Sequence, residues 1–145
     1  MSKVSIVYAT MTKHSKKLAL AIAEELGIEA VNVTEESKPE KVDLLYIVGG
    51  IYGGTCNPVL LSFVNKLDKD MVKKVVLVTS SVSESGRCQK QLKTILHEKE
   101  IQLLDEITCT GGFLFIKLGH PNKKDIQQVV MKAKSIYVQE SVTEL

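Results

Sequence analysis

The densest cluster of chemically useful side chains is Thr10-Met11-Thr12-Lys13-His14-Ser15-Lys16-Lys17. It holds three hydroxyls, three lysines and a histidine, with no carboxylate among them. Before it, Lys3 to Tyr8 is a short apolar run rich in β-branched residues, and after it Leu18, Ala19, Ile22 and Leu26 recur at helical spacing. The cluster therefore sits at a strand-to-helix turn. A helix N-terminus leaves about four backbone N–H groups unpaired and carries roughly half a unit of positive charge. With Thr10, Thr12 and Ser15 as donors and Lys13, Lys16 and Lys17 as cations, the turn has the makings of an anion cradle. The same residues admit a plainer reading, in which Ser15 caps the helix and the lysines form a solvated face.

The elements that must position this turn alternate along the chain. A helix over about Ser15 to Leu26 stops at Gly27, and Ile28 to Val33 reads as a second strand at a sheet edge. Thr34 to Lys41 is a polar loop containing Pro39. Leu44 to Val48 is uniformly apolar and ends in Gly49-Gly50, the pattern of a strand buried on both faces. A loop over Ile51 to Asn57 leads to a helix at Pro58, continued by Leu61, Val64 and Leu67. The fourth strand is Val75 to Val78, followed by a serine-rich loop from Thr79 to Gly86. Cys88, Leu92, Ile95 and Leu96 stripe the next helix. Ile101 to Thr110 is a fifth strand, weakened by Asp105 and Glu106. Gly111 to Pro121 is a long connection. Asn122 caps a last helix whose Ile126, Val129, Val130, Ala133 and Tyr137 follow the 3.6-residue period. Strands alternating with helices from end to end imply an α/β fold, with a mostly parallel sheet and helices on both faces. In such sheets ligands bind beyond the carboxyl ends of the strands, where the strand order reverses. Three stretches follow carboxyl ends here: Ala9–His14, Gly49–Asn57 and Thr79–Gly86.

The totals set bounds. At 145 residues, the expectation is one domain spanning 1–145. A net charge of +2, with 5% aromatic residues and no Trp, argues against a nucleic-acid surface. No apolar run approaches the ~20 residues of a membrane span, and the start of the chain has no signal-peptide pattern, so a cytoplasmic location is expected. Cys56, Cys88 and Cys109 are too widely spaced for a zinc motif or a disulfide framework, and packing thiols are expected. No metal site is expected. His97 and His120 read as structural, and His14 as a weak ligand near the cradle.

Three stretches together resemble the flavodoxin family. Thr10-Met11-Thr12-Lys13-His14-Ser15 resembles its phosphate loop, usually written T-x-T-G-x-T/S. Asp43 to Gly54 resembles the third strand and the flavin-flanking loop after it, and Gly119-His120-Pro121-Asn122-Lys123-Lys124-Asp125-Ile126 is similar to the G-H-P-N-x-x-D-L that opens the last helix. The resemblance runs over nearly the whole chain. It implies a three-layer αβα fold with a five-stranded parallel sheet in the order 2-1-3-4-5, and noncovalent FMN as cofactor. By that resemblance Thr10, Met11, Thr12, Lys13, His14 and Ser15 surround the phosphate. Gly50, Ile51, Tyr52, Gly53, Gly54 and Thr55 lie beside the ring, and Ser80, Ser81, Val82 and Gly86 line its other side. Two departures stand out. Lys13 occupies the family's glycine, at a cost of about 1 kcal/mol if the position needs positive φ. The third loop lacks the aromatic residue that commonly covers the outer face of the ring.

The function implied is that of a monomeric carrier, taking electrons from a reductase and passing them to a larger redox enzyme. Alternatives are a flavodoxin-like oxidoreductase acting directly on a quinone or tetrapyrrole, and an FMN-free interaction domain. A receiver domain is excluded: it needs an acidic cluster after the first strand and an aspartate ending the third, where this chain has Ala9-Thr10 and Gly49-Gly50.

Overall fold

A computed structural model describes residues 3–9, 13–52, 55–56, 58–81, 87–109 and 123–143. In chain order these form β1 (Val4–Tyr8), α1 (Lys13–Leu26), β2 (Ala30–Asn32), β3 (Val42–Tyr52), β4 (Thr55–Cys56), α2 (Pro58–Asn65), β5 (Val72–Ser81), α3 (Arg87–Glu98), β6 (Gln102–Cys109) and α4 (Lys123–Thr143). The parallel strands run β2-β1-β3-β5-β6, which is the expected order 2-1-3-4-5, and the two-residue β4 pairs antiparallel with the end of β3.

The central strands are apolar at every position because both their faces are covered. Ile6, Tyr8, Leu44, Tyr46, Val48, Val76 and Val78 pack with Leu18 and Ile22 of α1 and with Val129, Ala133 and Ile136 of α4. Val7, Leu45, Ile47, Val75 and Leu77 face the other way, onto Leu60, Phe63 and Val64 of α2 and Leu92 and Leu96 of α3. The period-2 alternation along each strand thus feeds two separate apolar layers. In α4 the buried stripe is Val129, Ala133 and Ile136; Tyr137, expected in it, is only half-buried.

Local signals explain most of the ends. Gly27 takes φ +69°. Its N–H reaches the Glu24 carbonyl at 3.3 Å and the Ile28 N–H reaches the Ala23 carbonyl at 3.0 Å, which closes α1 in a Schellman motif. The same pair of bonds ends α3, from Glu100 to His97 and from Ile101 to Leu96, each at 3.0 Å. There Glu100 holds the left-handed position at φ 60°, and its carboxylate meets Lys69 Nζ at 2.8 Å.

Three expected boundaries change. β2 is shorter than Ile28 to Val33, because only Ala30–Asn32 find partners on β1. β3 and β5 are longer than their apolar runs. Gly49, Gly50 and Ile51 pair with Thr79, Ser80 and Ser81, so the starts of the two expected loops are sheet. Pairing with each other keeps the two backbones extended where composition alone suggests a turn. β6 survives Asp105 and Glu106 by means of a bulge opposite Val75 and Val76. There the Asp105 carboxylate accepts the Glu106 N–H at 2.7 Å, and Glu106 in turn pairs with Lys93 at 2.9 Å.

Two interactions lock the layers. The Tyr46 hydroxyl, fully buried, donates to the Ala133 carbonyl at 2.8 Å and ties β3 to α4. Burial pushes its phenol well above the usual tyrosine range, with Tyr137 and Glu140 adding to the effect. On the other face, a Cβ at Gly49 would lie 2.6 Å from Leu60 Cδ2, so α2 can sit this close to β3 only over a glycine.

Two outcomes are expected. Tyr46→Phe should cost about 1–2 kcal/mol at neutral pH, the loss of one buried hydrogen bond. Above the ordinary tyrosine pKa of about 10, the unfolded chain sheds a proton that the folded one keeps, so the native protein loses stability as pH rises. The phenylalanine variant lacks that loss, and urea denaturation at pH 7 and pH 11 should show the gap between the two proteins narrowing. Gly49→Ala should cost about 1–3 kcal/mol by overpacking. In a double-mutant cycle Leu60→Val should be less damaging in the alanine background than in the native one; equal costs would show that Leu60 is not what the new methyl meets.

Candidate cofactor site

The candidate site lies along the rim formed by the carboxyl ends of β1, β3 and β5. The pairing sets its depth. β1 ends at Tyr8, opposite Val48, whereas β3 continues to Tyr52 beside Ser81 of β5. The sheet therefore has a step at the β1–β3 boundary, where the strand order reverses and α1 begins. Crevices of this kind are where open α/β sheets bind their ligands.

Helix α1 starts at Lys13 rather than at Ser15, so Ser15 lies inside the first turn and is not the cap. In a helix beginning at Lys13, the N–H groups of Lys13, His14 and Ser15 have no acceptor within the helix, and the turn they belong to follows β1, whose end forms the step. The first turn contains no acidic residue to occupy them. A helix end of this kind suits an external anion. The concern over lysine at the family's glycine position disappears as well: residue 13 is helical, and Glu100 is the only non-glycine residue with positive φ among those described. Lys16 and Lys17 are exposed on the next turn.

The second expected stretch is a strand extension followed by a return. Gly50, Ile51 and Tyr52 belong to β3, and Thr55 lies opposite Tyr52 on β4, with Cys56 opposite Ile51. This register leaves two residues, Gly53 and Gly54, between the strands. The third stretch begins inside β5 with Ser80 and Ser81, and Ser80 lies beside Cys109 at the end of β6. The backbones of Lys13, His14, Ser15, Gly50, Ile51, Tyr52, Thr55, Ser80 and Ser81 are thereby gathered at one end of the sheet. Thr10, Met11, Thr12, Gly53, Gly54, Val82 and Gly86 lie outside the described residues, as do the connection from Gly111 to Pro121 and its capping Asn122.

Sequence reasoning missed the structural part that Gly49 plays below this rim. It read Gly49 only as the end of an apolar run, yet Gly49 is buried and is what admits Leu60 of α2. The signal was available in a strand glycine followed, at the start of a helix, by a large apolar residue. His97 lies exposed in the last turn of α3. Among the described residues no group of three or more His, Cys, Asp or Glu is placed to hold a metal ion. Nor is any described helix long and apolar enough to cross a membrane.

Chemically, the backbone N–H groups at the start of α1 are of the kind that suits an anion near the end of β1. Farther along, the rim offers extended peptide edges, suited to a flat, hydrogen-bonding group.

Comparison with known proteins places this geometry. No curated protein matches the chain. Among solved structures, a short-chain flavodoxin associated with a bacterial microcompartment superposes with a TM-score of 0.69 at 15% identity, covering 94% of this chain and 98% of that one. An NAD(P)H:quinone oxidoreductase from Methanothermobacter marburgensis gives 0.62 at 12% identity, over 93% and 95%. A flavoprotein from Lactobacillus acidophilus, solved in complex with FMN, gives 0.54 at 13% identity, over 74% and 93%. Likeness at these identities concerns the fold. The sequence model of the flavodoxin domain matches residues 5–137, from the first strand through most of the last helix, and the chain belongs to that family.

Proposed function

We propose that this protein binds FMN noncovalently at the rim of β1, β3 and β5 and serves as an electron carrier. The observation that carries the reading is the N-terminus of α1: it opens at the switch point of the sheet and has no acidic residue in its first turn. A phosphate is the anion such a terminus suits best. The family membership and the FMN-bound relative of the same fold support the choice of cofactor.

FMN supplies one- and two-electron redox chemistry at its ring. The chain's own residues bind and orient it. In this reading the N–H groups of Lys13, His14 and Ser15, together with Thr10, Met11 and Thr12, hold the phosphate. The Lys13 charge adds to the attraction, since a cation beside a phosphate dianion is favourable. Gly50, Ile51, Tyr52, Gly53, Gly54 and Thr55 flank one side of the ring. Ser80, Ser81, Val82 and Gly86 present backbone and hydroxyl groups on the other. Glycines at 53 and 54 would let the backbone there come close to the ring.

As a carrier, the protein would act as a monomer in the cytoplasm between a reductase that donates electrons and a larger redox enzyme that accepts them. A second reading, direct reduction of a quinone, is favoured by the likeness to the quinone oxidoreductase fold. The sequence has no nucleophile elbow and no His/Asp/Ser arrangement at the spacing that would favour direct action on a tetrapyrrole or other substrate.

The purified protein should be yellow and should release FMN on denaturation. A colourless protein that takes up no added FMN would end the cofactor assignment. NAD(P)H-driven quinone reduction without a second protein would favour the oxidoreductase reading over the carrier. Removing the cation with Lys13→Gln, which keeps the helix, should make the potential for adding the second electron more negative, by an amount on the order of tens of millivolts. Redox titration of both proteins measures this, and an unchanged or raised potential in the variant would reject a role for Lys13 in tuning the flavin.

A further inference from the structure

The connection from β2 to β3 differs from the other parallel crossovers. Those from β1 to β2, β3 to β5 and β5 to β6 each pass through a helix, whereas residues 34–41 contain none. A helix there would lay side chains over Val7, Val33 and Leu45, as α2 and α3 do over the neighbouring strands. The loop instead bridges the space and leaves a cavity of about 160 Å³ between the sheet, the crossover and the flank of α2. Its walls include Val7, Val33, Leu45, Phe63 and Leu67, each no more than 5% exposed.

The roof is tied in place. Lys66 Nζ, on the turn after α2, donates to the Glu35 carbonyl at 2.7 Å and to the Ser37 carbonyl at 3.1 Å. Ser37 Oγ accepts the Thr34 N–H at 2.8 Å. Glu40, at the mouth, is exposed and paired with Lys3 at 3.4 Å. The crossover is therefore held over the cavity by bonds that do not draw on its interior.

One residue in the wall breaks the apolar alternation. Ser5 shares a face of β1 with Val7 and Ala9, both buried in this layer, and it lines the cavity half-buried. Its hydroxyl has no hydrogen-bond partner among the described residues. A strand facing a core normally carries an apolar side chain there, and a hydroxyl in a protein interior normally finds a partner.

We propose that this cavity is a binding site for a small, neutral aromatic molecule bearing one hydroxyl, of the phenol class. The volume fits a single ring: an apolar protein cavity of about 150 Å³ holds benzene. The charged residues of its lining, Lys38 and Glu40, are both exposed and of opposite sign, and the buried wall of Val7, Val33, Leu45, Phe63 and Leu67 gives a carboxylate stripped of its water no partner. Ser5 Oγ supplies the polar contact that selects a hydroxyl-bearing ring over a hydrocarbon. The cavity lies toward the amino ends of the strands, around Ser5, Val42 and Leu45, and is separate from the rim assigned to FMN.

The test is a two-dimensional ¹H–¹⁵N NMR titration of the full chain saturated with FMN, using phenol, toluene and benzoate. Phenol should give saturable shifts centred on the amides of Val7, Val31, Val33, Leu45 and Phe63, and benzoate should give none there. Ser5→Ala should weaken phenol about fivefold, the worth of one neutral hydrogen bond, and leave toluene within about twofold. Val33→Phe should fill the space and abolish the phenol shifts; should it not fold, Val7→Ile, a smaller filling, should weaken phenol and toluene alike. Non-saturable or dispersed phenol shifts, or unchanged phenol affinity in Ser5→Ala, would overturn the proposal. Shifts at these amides are read independently of flavin loading, so failure here is distinct from failure of the cofactor assignment.

Discussion

The structure depends on β3 and β5 being buried on both faces. With apolar layers above and below them, water cannot satisfy their peptide groups, and each must pair in the sheet. That requirement holds the two strands in parallel register from Val42 beside Val72 to Ile51 beside Ser81. A slip of one residue would turn Leu44, Tyr46 and Val48 out of the α1–α4 layer and into the opposite one. Packing and hydrogen bonding thus enforce the same register, and the register decides which residues reach the rim.

The rim follows from the difference in strand lengths. β1 stops at Tyr8 and α1 begins at Lys13, while β3 and β5 carry on. The helix N-terminus consequently faces a wall of extended backbone on its β3 side. The wall is held from behind: Leu60 packs against the bare backbone at Gly49, and Tyr46 anchors the same strand to α4 one layer away. A ligand bound at this rim would rest beside a strand anchored from both layers. The residues that contact it can then vary while the frame that presents them stays the same.

The opposite end of the sheet is less completely built. One crossover lacks a helix, and a loop held by a lysine takes its place. Apolar surface on Val7, Val33 and Leu45 that a helix would have covered borders a cavity instead. At the β6 edge, a bulge and two carboxylates occupy the strand, features that discourage pairing with another chain.

Much of this was legible from the residues in order. The uniform apolar runs around Tyr46 and Val76 read as doubly buried strands, Gly27 as a helix stop and Pro58 as a helix start, because each of these signals acts over a few neighbouring residues. The strand order came from the resemblance of three motifs and not from any local rule. The ends of β3 and β5 were not legible, since Gly49-Gly50 and Thr79-Ser80-Ser81 have the composition of turns and become strand only by pairing with each other. The start of α1 was misjudged by two residues for a similar reason: Ser15 makes a good cap in isolation, but the turn begins where β1 releases the chain. The amino-acid sequence alone determined which segments are helix or strand and which stretch carries the anion-binding residue types, since those properties are set by side-chain character and spacing. The tertiary structure alone decided the step at the rim, the need for a glycine at position 49 and the cavity beside Ser5, because each is a relation between segments far apart in the chain that come together only when the sheet assembles.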